Sequence, residues 1–218
     1  MPKKLSFLGL LELGTGKTTA VSRWVRQAVE EHGPDNVLVT SFTRAAAEEL
    51  NTRDLPIPPE RLGTLHAICY RLLGQPPIAE AHARQWNADC GNPLWAIKGT
   101  TAAVEDADVA DGGGDGDELL QEVQRLRGQM IPEMAWPQKL VNFNRVWRDW
   151  KEECSYDDFT DLIERGMLER PGGKIMFVDE AQDIVPLQYL LCQRWAQGMD
   201  SLVLSGDDDQ TLYSWLGA

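Results

Sequence analysis

Four short runs of this chain are apolar at nearly every position: "KLSFLGLL" near the start, "NVLVTSF", the "IMFV" of "GKIMFVDEAQD", and "SLVLS" of "SLVLSGDDDQ". A strand with one wet face alternates apolar and polar residues, whereas a strand covered on both faces does not. Segments of helical period lie between these runs. "GKTTAVSRWVRQAVEEHG" sets Val21, Trp24, Val25 and Ala28 on one side, with Gly33 as its stop. "TRAAAEELNTR" reads as a second helix, and "RLGTLHAICYRLLG" as a short strand or turn leading into a third. Buried strands alternating with helices predict an α/β chain: a parallel sheet with helices on both faces.

The middle of the chain breaks this rhythm. From about Gln75 to Tyr156 there is no strand-like run, but "DELLQEVQRLRGQM" and "WPQKLVNFNRVWRDWKEEC" have helical character. The expectation is a discontinuous core, residues 1–74 and 157–218, interrupted by a mainly helical insertion, residues 75–156. Trp136, Trp147 and Trp150 are expected to pack inside that insertion. "EDADVADGGGDGDE", Glu105 to Glu118, holds seven acids and no base. It is expected to be a solvated, flexible loop.

Bulk properties narrow the function classes. The 218 residues suit one large domain or a domain with a sizeable insertion, and 43% hydrophobic content excludes general disorder. No apolar run reaches the roughly 18 residues of a membrane span. "MPKKLSFLGLLELG" has two lysines followed by apolar residues, but no small-residue cleavage site, so it reads as a buried first strand. Cys69, Cys90, Cys154 and Cys192 are scattered without C-x-x-C spacing. Neither a zinc site nor a disulfide framework is indicated, which suits a reducing cytoplasm. A net charge of −13 argues against attachment to nucleic acid by bulk charge alone. Without the acidic run the remainder carries −6, which leaves room for a local basic or neutral groove.

"LLELGTGKTTA", Leu10 to Ala20, is where chemistry enters. A Gly14-Thr15-Gly16-Lys17-Thr18 turn between strand and helix aims backbone N–H groups and a helix N-terminus at phosphate oxygens. Lys17 suits β- and γ-phosphates, the Thr18 hydroxyl suits Mg2+, and Thr19 follows in the same first turn. The first half of the loop departs from G-x-x-x-x-G-K-[ST]: Leu11 stands where a small residue is expected, and Glu12 adds a negative charge beside a site for anions. "IMFVDEAQD" then places Asp179 and Glu180 at the end of an apolar strand, where open α/β sheets hold their ligands. Asp179 suits a metal ion, and Glu180 suits the orientation and deprotonation of an attacking water.

These segments together carry a family resemblance. "DEAQD" and "GDDDQTLYSWLGA" resemble motifs II and III of the UvrD/Rep-like superfamily I DNA helicases. "SFTRAAAEEL" is similar to their motif Ia, and "GTLHAICYRLL" to the motif that follows it. The motifs stand in the family's order, and the resemblance covers nearly the whole chain. It implies a P-loop NTPase (RecA-like) core with an inserted helical subdomain. It also implies an ATP-driven translocase that acts on single-stranded DNA, with ATP and Mg2+ as cofactors. Lys17, Thr18, Asp179 and Glu180 match the nucleotide and metal residues. Gln182 matches the glutamine joining motifs II and III, and Gln210 the glutamine that senses the γ-phosphate. Phe42, Thr43, Thr64, His66, Tyr213 and Trp215 match positions lining the DNA strand. Phe42 and Trp215 offer flat faces for bases.

There are departures from the pattern. Leu216 stands where the family has an arginine, and an adenine-reading glutamine has no counterpart before the loop. The chain stops at Ala218, where the family continues into a second motor domain. It is therefore expected to be the first motor half, weakly active or inactive alone and completed by a second motor domain or chain. The alternative of another class is a non-catalytic nucleotide- or DNA-binding module with a degenerate loop. A small-molecule P-loop kinase is disfavoured, because the "SFTR" and "TLHA" segments have no role there.

The loop itself yields a measurable expectation. Glu12 should cost nucleotide binding roughly 1–3 kcal/mol by repulsion, while Lys17, Thr18 and the helix end retain affinity. Replacing Leu11 and Glu12 by Gly and Pro should tighten binding of an ATP analogue about tenfold, worth roughly 1.4 kcal/mol. Calorimetric titration of both forms checks this, and equal affinities would show the two residues to be harmless.

Overall fold

The computed structural model describes residues 4–8, 17–41, 50, 52–99 and 115–206. Among these are the strands β1 (Lys4–Leu8), β2 (Val37–Ser41), β3 (Leu62–Thr64), β4 (Ile175–Asp179) and β5 (Ser201–Ser205). They pair in the order β1-β5-β4-β2-β3, and every pairing is parallel. The helices are α1 (Lys17–His32), α2 (Leu65–Leu72), α3 (Ala83–Asp89), α4 (Asp115–Gly128), α5 (Gln138–Cys154), α6 (Phe159–Gly166) and α7 (Pro186–Ala196). A parallel α/β sheet is thus observed.

The continuous apolar runs are explained by burial on both faces. Leu38, Met176, Val178, Leu202 and Leu204 face one way, against Leu65 and Ile68 of α2, Leu162 and Ile163 of α6, and Leu187, Leu191 and Trp195 of α7. Val37, Val39, Leu62, Phe177 and Val203 face the other way, against Val21, Val25 and Ala28 of α1. The stripe read in α1 is therefore its buried face. Gly33 ends that helix with φ of 83°, a conformation open to glycine without the clash a Cβ would bring.

Residues 79–156 contribute a third cluster of their own, centred on Trp86, Phe143, Trp147 and Trp150. Trp86 meets Trp147 edge to face with ring centroids 4.9 Å apart. Buried indoles need acceptors. Trp86 donates to the Trp95 carbonyl at 2.8 Å, Trp150 to Asp89 at 3.1 Å, and Trp136 to the Ile131 carbonyl at 2.7 Å. The tryptophans pack as expected. The acidic run does not behave as expected throughout. Asp115 to Glu118 form the first turn of α4, with Gly116 buried against the Trp95 and Ala96 carbonyls. Acids in a first turn suit the positive end of the helix dipole, and Asp117 also accepts from the Lys98 N–H at 2.9 Å. The rest of the run lies outside the described residues.

The segment enters and leaves the core at one place. Ile78 and Asp157 form an isolated parallel bridge, with Ala79 N–H donating to the Asp157 carbonyl at 2.8 Å. Next to it, Asp158 is fully buried. It caps α6 by accepting from the Asp161 N–H at 2.8 Å. It also accepts from Trp147 and Arg127 at 2.9 Å each and from Lys151 at 2.5 Å. One carboxylate therefore ties α4, α5 and α6 together. Although burial favours the neutral acid, Lys151 and Arg127 hold Asp158 ionised, well below the usual carboxylate range.

Glu80 lies beside this charge with the opposite outcome. It is buried, accepting from Gln124 at 2.6 Å and from the Phe159 N–H at 3.2 Å. Burial, with Asp158 nearby, pushes its carboxyl up to about 8. An unfolded glutamate loses its proton near pH 4.3. Between there and pH 8 the folded chain holds a proton that the unfolded chain lacks, so stability falls as pH rises through that window. Glu80→Gln removes the titration and should gain at least about 1 kcal/mol relative to the parent between pH 5 and pH 8. Urea unfolding at both pH values measures it, and a constant difference would show Glu80 to be ionised in the fold.

Candidate functional site

Parallel strands bring all their carboxyl ends to one edge. Here the register aligns those ends: Leu8 stands opposite Ser205, Ser41 opposite Asp179, and Ser41 also opposite Thr64. Val178 pairs with Leu204, so Asp179 and Ser205 follow at the same height. Alternation along the strands puts Ser41, Asp179, Ser205 and Thr64 on the face that α1 covers, in phase with Val39, Phe177, Val203 and Leu62. Ser41, Asp179 and Ser205 are all buried.

The start of α1 reaches the same edge. Its last residue, His32, lies just before β2, which begins at Val37. The helix therefore returns across the sheet against the strand direction. Its 16 residues span about 24 Å, more than the length of a strand. Lys17, Thr18 and Thr19 form its first turn. The unpaired N–H groups of that turn carry roughly half a positive charge. The edge thus combines a positive helix end with the carboxylates of Asp179 and Glu180.

Glu180 leaves β4 in the left-handed region, with φ of 52° and ψ of 43°. A residue with a Cβ loses roughly 1–2 kcal/mol there. The turn ends the strand abruptly and leads into a 3₁₀ turn, Ala181–Asp183. Gln182 donates its side-chain N–H to Glu180 Oε2 at 2.5 Å and more weakly to Asp183 at 3.4 Å. Glu180 is half-buried, and its carboxylate is oriented by its neighbour within the motif. Burial and the Glu180 charge push the Asp183 carboxyl above its ordinary value.

Thr64 and His66 lie at the far end of the edge. Thr64 is the N-cap of α2, its hydroxyl accepting from the Ala67 N–H at 3.2 Å. His66 sits in the first turn of that helix, edge-on to Phe159 with centroids 6.1 Å apart. Burial pushes its imidazole down to about 4, so it is neutral near pH 7. Gly14, Thr15, Gly16, Phe42, Thr43, Gln210, Tyr213 and Trp215 lie outside the described residues, as do Leu11 and Glu12. The structure therefore brings Lys17, Thr18, Thr19, Thr64, His66, Asp179, Glu180 and Gln182 to one edge. Ser41 was not foreseen. The one signal was two hydroxyl residues closing an otherwise apolar strand, "VLVTS".

Among the described residues no group of three His, Cys, Asp or Glu side chains is placed to hold a metal ion by itself. No described helix is long and apolar enough to cross a membrane. Residues 12–215 match a family model described as an AAA domain. The chain is 25% identical to YjcD of Bacillus subtilis, covering 97% of this chain and 31% of that protein. It is 27% identical to a Mycoplasma pneumoniae protein named "Probable DNA helicase II homolog", covering 94% and 33%. It is 25% identical to the ATP-dependent DNA helicase PcrA of Bacillus subtilis, covering 94% and 31%. The chain thus spans about a third of the length of these relatives.

The left-handed turn at Glu180 can be weighed directly. Glycine adopts it without the Cβ clash, whereas alanine does not. Glu180→Gly should therefore unfold with about 0.5–1 kcal/mol more stability than Glu180→Ala. In an ordinary extended or helical position the order would reverse, and urea unfolding of the two variants distinguishes these outcomes.

Proposed function

Because the chain belongs to the AAA domain family, we propose that it is the ATP-binding and single-strand-DNA-binding portion of an ATP-dependent DNA helicase or translocase. One observation carries the reading: a helix N-terminus and an Asp-Glu pair stand at the same sheet edge. A helix end alone would suit an anion, and acids beside it would repel phosphates. A divalent cation between them resolves the conflict. Leu8 and Asp179 are two strand spacings apart, about 10 Å, which suits phosphates together with a hydrated cation.

In this reading Lys17 and the first-turn N–H groups receive the phosphates, and Thr18 with Asp179 holds Mg2+. Mg2+ keeps several waters and uses few protein ligands, which fits a site with one buried aspartate and neighbouring hydroxyls. The cation would neutralise charge on the phosphates. Glu180 orients and deprotonates the attacking water, with its carboxylate aimed by Gln182. Gln210 responds to the γ-phosphate. Phe42, Thr43, Thr64, His66, Tyr213 and Trp215 line the strand, with stacking supplying roughly 1–3 kcal/mol per base. A neutral His66 would serve by hydrogen bonding and contact rather than charge. Residues 1–74 and 157–218 form the motor core, and residues 75–156 form a subdomain on it. The four cysteines are free, and a reducing cytoplasm suits them.

The decisive experiment separates binding from turnover. Glu180→Gln should lower ATP hydrolysis by about 10²–10⁴ and leave Mg-nucleotide affinity within a few-fold. Lys17→Ala should lose that affinity. Single-stranded DNA should stimulate whatever turnover the parent shows. Phosphate release and calorimetry measure these effects. DNA binding without nucleotide binding in the parent would instead identify a non-catalytic module.

A further inference from the structure

Several buried polar atoms have no hydrogen-bond partner among the described residues: Thr40 Oγ1, Ser41 Oγ, Arg53 Nε, Arg61 Nε, Arg71 Nε, Glu80 Oε2 and Asp117 Oδ2. Most belong to groups that bond through another atom. Arg61 reaches the Pro171 carbonyl, Arg71 the Leu62 carbonyl, Glu80 the Gln124 amide, and Asp117 the Lys98 N–H. Arg53 has a further contact as well. Thr40 and Ser41 differ in that their only side-chain polar atom is unused. A buried hydroxyl with no partner is costly, so each calls for a reason.

The two hydroxyls are adjacent in sequence but point to opposite faces of the sheet. Thr40 lies on the face of Leu38 and Val178, among apolar side chains of α2, α6 and α7. Ser41 lies on the α1 face, only 1% exposed, and its Cα is paired with that of Asp179. Paired residues on neighbouring parallel strands are about 4.8 Å apart and share a face. Ser41 and Asp179 therefore stand side by side at the same height of the sheet and on the same face.

We propose that Ser41 is a positioning residue of the nucleotide site, its hydroxyl bonding the water shell of the cation held by Asp179 and so fixing that carboxylate. The inference rests on the nucleotide reading above. A hydroxyl can donate one proton and accept two, so it can bridge a metal-bound water and the Asp179 oxygen. Such outer partners of a metal ligand typically change metal affinity 10–100-fold when removed. The desolvation cost of Ser41 would then be offset by cation binding.

This role has a signature that simple packing lacks. Ser41→Ala removes an unpaired buried hydroxyl, so the empty variant should melt at the same temperature as the parent or higher. Its Mn2+ affinity in the presence of a non-hydrolysable ATP analogue should nevertheless fall about tenfold or more, read by electron paramagnetic resonance. Ser41→Thr keeps the hydroxyl and should restore affinity. Thr40→Val, on the other face, should leave it unchanged. Equal Mn2+ affinity in Ser41→Ala and the parent, or equal losses in Ser41→Ala and Thr40→Val, would overturn the assignment while leaving the nucleotide reading intact. A parent chain that binds the ATP analogue no better with Mn2+ than with EDTA would remove both.

Discussion

Burial of the sheet on both faces is the constraint from which the rest follows. The strand side chains between the edges face Val21 and Val25 on one side and Leu162 and Leu191 on the other. A charge placed there would be stripped of water on both sides, which is prohibitive without a partner. Charged groups are therefore disfavoured in the body of the sheet and favoured at its edges. Parallel pairing then makes the two edges unequal. The carboxyl edge collects the ends of all five described strands, and the returning α1 adds its N-terminus there. Asp179 is buried, but it is the last residue of β4, where the apolar layer gives way.

The helical segment is joined to this core economically. Its ends meet at the Ile78–Asp157 bridge, so the core is closed across the junction whatever the segment does beyond it. Orientation depends on Asp158, through which α4 and α5 engage the N-terminus of α6. A buried ion cluster is weak evidence for stability, because desolvation offsets much of the attraction. It is stronger evidence for a single geometry: an apolar seam tolerates sliding, but a carboxylate with fixed donors from Arg127, Lys151 and Trp147 does not. α6 in turn packs its Leu162 and Ile163 under the sheet. The chain of contact runs from the aromatic cluster, through one aspartate, into the core.

Much of this was legible in the residues themselves. Strands β2, β4 and β5 were visible as apolar runs because both of their faces are covered, and α1 because its stripe matches one covered face. The Asp179–Glu180 pair was legible because acids directly after an apolar strand have few structural uses. Strand order was not legible: β5 comes last among the strands but pairs between β1 and β4, and nothing local in "SLVLS" encodes a neighbour. Nor was the first turn of α4, since Asp115 and Asp117 look the same in a solvated loop and at a helix N-terminus. Arg127, Lys151 and Asp158 are ordinary charged residues in sequence, and only the tertiary fold makes them one cluster. Ser41 was hidden for a related reason. A serine after a threonine reads as a strand end, and its significance lies in having Asp179 as its neighbour on the next strand.

The distribution of satisfied and unsatisfied groups points to the same edge. In the helical segment the indoles of Trp86, Trp136, Trp147 and Trp150 all donate to acceptors. The carboxyl edge carries two costly features. Glu180 holds a left-handed backbone, and Ser41 buries an unused hydroxyl one strand from Asp179. Each feature lowers the stability of the chain. A glycine would relieve the first and an alanine the second, with little else changed. Left-handed backbone also occurs at Met130 and Ser155, and an unused hydroxyl at Thr40, so neither feature marks a site by itself; Glu180 and Ser41 differ in standing beside Asp179 at the carboxyl edge. That edge is where the parallel sheet gathers its strand ends together with the N-terminus of α1.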